Sequence, residues 1–166
     1  SIVVEDLPVV YRDGLAVRSR TRMIEASCSA GIAFTNAGLG LNHSLAHALG
    51  GRFHVAHGRL NAILLPYVMR FHMSEPKYRG PYDRLAHDLG MADADELLVR
   101  VIELRECLGV EDALSDLPQF EPAAFEAELS GIAEAAQHDR CTPSNPRAVS
   151  KQDLVNIARD AYCGRR

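Results

Sequence analysis

The sequence has 166 residues, 47% of them hydrophobic and 24% charged, which is ordinary for one globular domain with its own core. Its 18 Lys and Arg against 22 Asp and Glu give a net charge of -4, so no basic excess predicts nucleic-acid binding. No apolar run is long enough to cross a bilayer, and the first residues lack the pattern of a signal peptide. Scattered cysteines predict reduced thiols in the cytoplasm, and these are Cys28, Cys107, Cys141 and Cys163.

The N-terminal quarter contains one clear helical segment. Residues 1–14 are expected to be extended or irregular, because Pro8 breaks a helix and Asp13-Gly14 is a typical turn pair. From Arg18 to Phe34 no breaker occurs before Gly31, which predicts a helix. Small residues along this helix let neighbouring elements pack closely against it. One face of the helix carries the stripe Met23, Ser27, Ala30 and Phe34.

Two glycine-rich breaks frame the next helices. The glycines of residues 36–40 make a flexible joint. A short helix is predicted from about Asn42 to Leu49, and Gly50-Gly51 should end it. Another helix is predicted from about Gly58 to Arg70, where Pro66 should kink it or end it early.

The C-terminal half has regular helical periodicity. Helices are predicted over about 81–89 and 94–108, from residue 121 onward, and after Ser150, which caps the last one. Period-2 alternation occurs nowhere for long, so the sequence predicts an all-α fold, a single domain over residues 1–166. The stripes expected in the core are Leu97, Val101, Leu104 and Leu108; Phe125, Leu129, Ile132 and Ala136; and Leu154, Ile157, Ala158 and Ala161.

Four of the seven histidines lie between His43 and His57. His43 and His47 are four residues apart and therefore share one face of a helix. A turn after Gly50-Gly51 can return His57 to the side of His43, whereas His54 is expected at the surface or behind the ligands. Imidazole suits divalent iron and zinc, so converging histidines predict a metal site, although a hydrogen-bonded structural role is commoner for any one histidine.

Four stretches resemble the iron-containing, or group III, alcohol dehydrogenases. They are Gly38-Leu-Gly-Leu-Asn-His43, Leu49-Gly-Gly-Arg-Phe-His54, His57-Gly-Arg-Leu-Asn61 and Asp139-Arg-Cys-Thr-Pro-Ser-Asn-Pro-Arg147. The first two are most similar to the branch that serves propanediol and ethanolamine utilisation. Arg59-Leu60 depart from the small residues that many relatives carry there. The resemblance extends over nearly the whole chain.

The resemblance implies a site for divalent iron, with zinc as the other candidate, and for a nicotinamide dinucleotide, NAD or NADP. Two of the family's metal ligands match His43 and His57. His47 matches the histidine that lies near substrate and nicotinamide and relays the alcohol proton, so it is the expected catalytic and cofactor-binding residue. Phe34 and Cys141 match positions that line the substrate pocket.

The resemblance also implies a longer protein. The family's other two ligands belong to an Asp-x-x-x-His pattern, which has no match before His43, and its Rossmann-like nucleotide domain has no match either. We therefore expect residues 1–166 to be a helical domain, like the C-terminal domain of dehydroquinate synthase, within a two-domain enzyme that interconverts an alcohol and an aldehyde. The domain alone is expected to be inactive, and the enzyme to be a homo-oligomer, such as a dimer through this domain.

Other interpretations remain open at this point. A stand-alone helical module for interaction or assembly, without catalysis, would show the same periodicity. A zinc enzyme of the wider glycerol dehydrogenase and dehydroquinate synthase superfamily would share the fold, although Gly38-Leu-Gly-Leu-Asn-His43 argues against it. Phe34 also fits a core aromatic, and Cys141 a quiet buried thiol.

Overall fold

All regular elements in the described part of the chain, residues 1–164 of the computed structural model, are helices, as the sequence predicts. The eight α-helices among these residues are α1 (Ile2–Arg12), α2 (Val17–Ala37), α3 (Gly40–Phe53), α4 (His57–Met73), α5 (Pro76–Asp88), α6 (Ala94–Cys107), α7 (Pro122–Gln137) and α8 (Lys151–Cys163). Two 3₁₀ turns, Leu114–Asp116 and Thr142–Ser144, lie in the connections. No described helix combines the length and the apolarity that a bilayer span requires.

The main core lies between α3, α4, α7 and α8. Leu45, Leu60 and Leu154 are fully buried there, each on a different helix. A smaller core joins the far end of α4 to α5 and α6, with Met69 and Ala86 among its members. Because α4 belongs to both cores, its first turn is held firmly in place, and that turn begins at His57.

The stripes predicted for α7 and α8 are confirmed, since each of their eight residues is buried. The start of α8 is also as predicted. The Ser150 hydroxyl accepts a hydrogen bond from the Asp153 N–H at 3.1 Å, and Asp153 Oδ2 accepts one from the Ser150 N–H at 2.9 Å. This reciprocal capping box satisfies two donors at the end of the helix.

The prediction of an irregular segment over residues 1–14 is wrong, because α1 runs through Pro8. A proline inside a helix removes one backbone hydrogen bond, a cost that tertiary contacts can offset. Here α1 packs against α2, and buried Asp6 pairs with Arg22 at 3.0 Å. The predicted turn at Asp13-Gly14 does follow the helix.

The prediction that Gly50-Gly51 ends α3 is also wrong, because the helix continues to Phe53. The Phe53 ring is buried and stacks on Phe120 with centroids 4.3 Å apart. Burying a ring of this size outweighs the roughly 1 kcal/mol that each glycine costs inside a helix. The helix ends one residue later at His54, whose φ of 53° is left-handed.

Two further boundaries differ from prediction for related reasons. Helix α4 passes through Pro66 to Met73, and Pro66 is itself fully buried between neighbouring helices. Helix α5 begins at Pro76 and not at Pro81. A proline in the first turn is well tolerated, since the N–H it lacks has no partner in the helix there.

Helix α2 differs most from the expected core helix, because none of its residues is buried. It packs on α1, and its apolar side chains largely face outward. Ile24 is 67% exposed, Ile32 65% and Phe34 46%. Helix α2 therefore exposes apolar side chains in this chain, and Phe34 of the predicted stripe is one of them.

Candidate active site

Helix α3 and the first turn of α4 bring three histidines together. His43 and His47 lie one turn apart on α3, and His57 opens α4 after the reversal of the chain. The ring centroids are 5.2 Å apart for His43 and His57, 5.1 Å for His47 and His57, and 6.2 Å for His43 and His47. The structure thus returns His57 to the side of His43, as the spacing predicted.

The relative orientation of the rings differs between the pairs. An imidazole lone pair lies in the plane of its ring. The His43 and His57 planes are tilted by 54°, and those of His47 and His57 are stacked at 17°. Metal–nitrogen bonds of about 2.0–2.1 Å place two imidazoles on a shared ion with centroids about 5 Å apart. The separations of His43 and of His47 from His57 are both close to that value.

His43 has the electrostatics of a neutral ligand. Burial, followed by repulsion from His57 and His47, holds the pKa of His43 below its ordinary value of 6.5. The neutral imidazole is the form that binds a metal ion. A hydrogen bond with the Leu39 backbone opposes this lowering without overcoming it.

Two asparagines connect His57 to α3. Asn42 Nδ2 donates to Asn61 Oδ1 at 2.8 Å and to the Asn61 carbonyl at 3.1 Å. Asn61 Nδ2 in turn donates to the His57 carbonyl and lies 3.0 Å from His57 Nε2. Both asparagines belong to the family motifs, but spacing predicted a role for neither. Their contacts hold the first turn of α4, and therefore His57, against the histidine-bearing face of α3.

His47 has a carboxylate partner from the other end of the chain. Its Nδ1 lies 2.9 Å from Asp139 Oδ2, and the Cys141 N–H donates to Asp139 Oδ1 at 2.8 Å. Burial alone would raise the pKa of Asp139, but hydrogen bonds from Cys141 and His47 outweigh it and hold that pKa below its ordinary value. Sequence reasoning missed this contact, because 92 residues separate the partners.

Cys141, predicted to line the substrate pocket, is buried beside Asp139. Burial, followed by the Asp139 carboxylate, raises the pKa of the Cys141 thiol, so the protonated form is favoured. Potential ligand atoms of His47, Asp139 and Cys141 lie within 4.8 Å of one another. Hydrogen bonds to the shared carboxylate account for this closeness. Phe34, the other predicted pocket residue, lies on exposed α2.

The segment after Cys141 closes the beginning of α3. Ser144 Oγ accepts a hydrogen bond from the Gly40 N–H, and Asn145 Oδ1 accepts one from the Leu41 N–H, each at 3.1 Å. Gly38 approaches so closely that a Cβ there would lie 2.3 Å from Ser144 Cβ, and its φ of 81° suits glycine. The Asp139–Arg147 segment thus supports the helix that carries His43 and His47.

Behind this cap lies a buried histidine that sequence reasoning did not single out. His72 Nε2 is 3.1 Å from Asn145 Oδ1, and His72 Nδ1 is 2.7 Å from the Tyr82 hydroxyl. Burial, together with the nearby positive charge of Arg147, lowers the pKa of His72. His72 therefore acts as a neutral bridge that ties α4 and α5 to the cap of α3.

The family follows from comparison with known proteins. A sequence profile described as the Fe-containing alcohol dehydrogenase family, C-terminal, matches residues 1–162. Alcohol dehydrogenase 4 of Saccharomyces cerevisiae is 36% identical over 163 residues, covering 97% of this chain and 41% of the yeast protein. The 1-propanol dehydrogenase PduQ of Salmonella typhimurium is 37% identical over 163 residues, covering 94% of this chain and 44% of that protein. The chain belongs to the iron-containing alcohol dehydrogenase family, and the second relative agrees with the propanediol branch that its motifs indicated.

A solved structure supports the same assignment. The iron-containing alcohol dehydrogenase from Thermococcus thioreducens superposes with a TM-score of 0.82 at 35% identity, covering 98% of this chain and 43% of that protein's chain. The chain therefore spans less than half the length of the relatives that it matches.

Proposed function

We propose that this chain is the helical, metal-binding half of a dehydrogenase that interconverts an alcohol and an aldehyde with NAD or NADP. The observation that carries the proposal is the meeting of His43 and His57, whose ring centroids lie 5.2 Å apart, a separation that suits one shared ion. Family membership supplies the reaction class. The remaining ligands and the nucleotide site would come from a second domain of the same protein.

His43 and His57 would hold a divalent iron or zinc ion. Such an ion supplies Lewis-acid polarisation of the substrate oxygen, which lowers the pKa of an alcohol and favours loss of its hydride. The exposure of His57 leaves this side of the site open to a further domain, whereas the lowered pKa of His43 keeps that ring ready to bind. Two ligands alone form a weak site, so this chain by itself should bind metal poorly and lack activity.

His47 would move the proton that leaves the alcohol, and it would lie beside the nicotinamide. It stacks on His57 and is about one third exposed, so it borders the ligand pair and can still exchange protons with solvent. A nicotinamide dinucleotide carries the hydride itself, and the chain contributes position and electrostatics. Phe34 and Cys141 would line the substrate pocket, and the relative named a 1-propanol dehydrogenase favours a small primary alcohol.

The exposed face of α2 supports a role within a larger assembly. A surface that includes Ile24, Ile32 and Phe34, all at least 46% exposed, is unfavourable in water unless another surface covers it. We propose that the nucleotide domain or a second copy of the chain covers this face. The four cysteines are free, which favours a reducing compartment such as the cytoplasm.

A fusion tests the proposal directly. The N-terminal part of Salmonella typhimurium 1-propanol dehydrogenase that precedes the matched region would be joined to residues 1–166. After loading with ferrous iron, aldehyde-dependent oxidation of NADH or NADPH would be followed by absorbance. We expect activity in the fusion and none in the 166-residue chain alone.

The controls connect any activity to the histidines. His43→Ala and His57→Ala should abolish turnover together with metal content, whereas His138→Ala, at an exposed position in the turn after α7, should preserve both. Turnover that persists in a fusion lacking either imidazole would refute the assignment. So would a folded, iron-loaded fusion that reduces no aldehyde.

A further inference from the structure

We propose that Asp139 is the positioning residue of His47, holding the ring in one orientation and in the Nδ1–H tautomer so that Nε2 is the atom that handles the proton. This inference deepens the proposed function, since it rests on the proton-transfer role of His47. It assigns a task to a residue that lies 92 positions away in sequence.

Both oxygens of the Asp139 carboxylate are held by hydrogen bonds. Asp139 Oδ2 lies 2.9 Å from His47 Nδ1, within the range of a charge-assisted hydrogen bond. Its other oxygen, Oδ1, accepts the Cys141 N–H at 2.8 Å, and the Cys141 thiol also hydrogen-bonds to the same carboxylate. With both oxygens engaged and its side chain only 17% exposed, Asp139 has little freedom to rotate. It therefore presents Oδ2 to His47 as a fixed acceptor.

The chemistry of the contact then identifies the proton. An ionised carboxylate carries no hydrogen and can only accept, so the proton in this contact belongs to His47 Nδ1. The lowered pKa of Asp139 keeps it ionised at neutral pH, which supports that assignment. In the neutral ring the other nitrogen, Nε2, then carries a lone pair and no hydrogen.

This tautomer is the one that a proton acceptor needs. A neutral imidazole protonated at Nε2 would present a hydrogen in place of a lone pair on that edge. The stacking of His47 against His57 keeps the ring within the histidine cluster, while Asp139 fixes its rotation. A ring that could rotate freely would present either Nδ1 or Nε2 at that edge, and that nitrogen could be protonated or unprotonated.

Nitrogen-15 NMR of the metal-free 166-residue chain tests the tautomer without any need for activity. Long-range proton–nitrogen spectra distinguish protonated from unprotonated ring nitrogens, and they would be recorded at about pH 8.5, where ordinary histidines are neutral. We expect Nδ1 of His47 to be protonated in the wild type. In Asp139→Asn, the amide oxygen can keep the Cys141 N–H while its NH₂ group donates to His47 Nδ1, so we expect inversion to Nε2–H.

Glu126→Gln is the matched control, because it also removes one negative charge but from an exposed pair with Arg159. It should leave the His47 spectrum unchanged, and the His72 signals provide an internal reference in every sample. A wild-type His47 protonated mainly at Nε2 would overturn the proposal, and so would the same tautomer in wild type and Asp139→Asn. If Asp139→Asn does not fold, the wild-type spectrum alone decides.

The fusion described above adds a kinetic readout. Asp139→Asn should lower kcat by about 100-fold or more with a much smaller change in KM, the pattern for loss of proton transfer. An inverted tautomer with unchanged kcat would overturn the positioning role. An inactive wild-type fusion would instead contradict the proposed function. The NMR result would then still test whether Asp139 sets the tautomer of His47.

Discussion

Asn145 accepts a hydrogen bond from the backbone N–H of Leu41, 104 residues earlier in the chain, at 3.1 Å. The same oxygen lies 3.1 Å from His72 Nε2, and the Asn145 amide donates to the Arg147 carbonyl at 2.7 Å. One side chain thus joins the start of α3, the end of α4 and the last loop. Because α3 carries His43 and His47, the position of the candidate site depends on this contact.

Asn145→Ala should destabilise the chain by about 1–3 kcal/mol, since it removes a helix cap and leaves a buried His72 nitrogen without its partner. Urea unfolding followed by circular dichroism measures the change. Gln152→Ala, on the exposed face of α8, is the control and should change stability by less than about 0.5 kcal/mol. Equal effects of the two exchanges would contradict the capping role.

Replacing Gly38 and Gly51 by alanine should change the stability of the chain in opposite directions. Gly38 has φ 81° and ψ 173°, a region open almost exclusively to glycine, and a Cβ there would collide with Ser144. Gly38→Ala should therefore cost about 2 kcal/mol or more. Gly51 lies inside α3, and a Cβ added to it would meet no atom within 4 Å, so Gly51→Ala should stabilise by about 0.5–1 kcal/mol.

Thermal or urea unfolding measures the change in stability of both glycine variants. A destabilised Gly51→Ala would mean that α3 ends near Gly50-Gly51 in solution, as its sequence alone suggested. A tolerated Gly38→Ala would mean that the contact between Gly38 and Ser144 is looser than its geometry implies.

The fold was largely predictable because its signals are local. The stripes of α7 and α8 and the Ser150 cap depend on residues a few positions apart, and each prediction is confirmed. Where prediction failed, distant contacts decided the outcome. Phe120 stabilises the end of α3 beyond its glycines, and α2 stabilises α1 across Pro8.

The same difference between local and distant contacts decides which parts of the candidate site were predictable. The meeting of His43, His47 and His57 follows from one helix and one turn, and spacing predicted it. Asp139 contacts His47 across 92 residues and His72 contacts Asn145 across 73, separations at which no spacing rule operates. The motif that contains Asp139 indicated the family and left this carboxylate without a role.

The buried, neutral state of His72 predicts a pH dependence of stability. Its pKa is lowered in the folded chain, so the unfolded chain binds the proton more readily as the pH falls. The stability that neutral His72 contributes is fully present above about pH 6.5, the ordinary histidine pKa. It is lost as the pH falls from there through the lower pKa of His72 in the folded chain. Stability should therefore decrease between about pH 7 and pH 5.

Urea unfolding across this range, in metal-free chain, measures the slope. His72→Gln should flatten it, with a residual slope from His43, whose pKa is lowered as well. His138→Gln is the same exchange at an exposed position and controls for the loss of a histidine. A slope that is as steep in His72→Gln as in the wild type would rule out His72 as its source.

The most direct test of the proposed metal-binding pair, His43 and His57, is the zinc affinity of the purified 166-residue chain, measured by calorimetry for the wild type, His43→Ala, His57→Ala and the control His138→Ala. Because His43 and His57 supply only part of a full ligand set, we expect weak binding of one ion per chain. Each ligand variant should weaken it by at least about tenfold, and the control should leave it unchanged. Zinc binding that is the same with and without these two imidazoles would contradict the assignment of His43 and His57 as metal ligands.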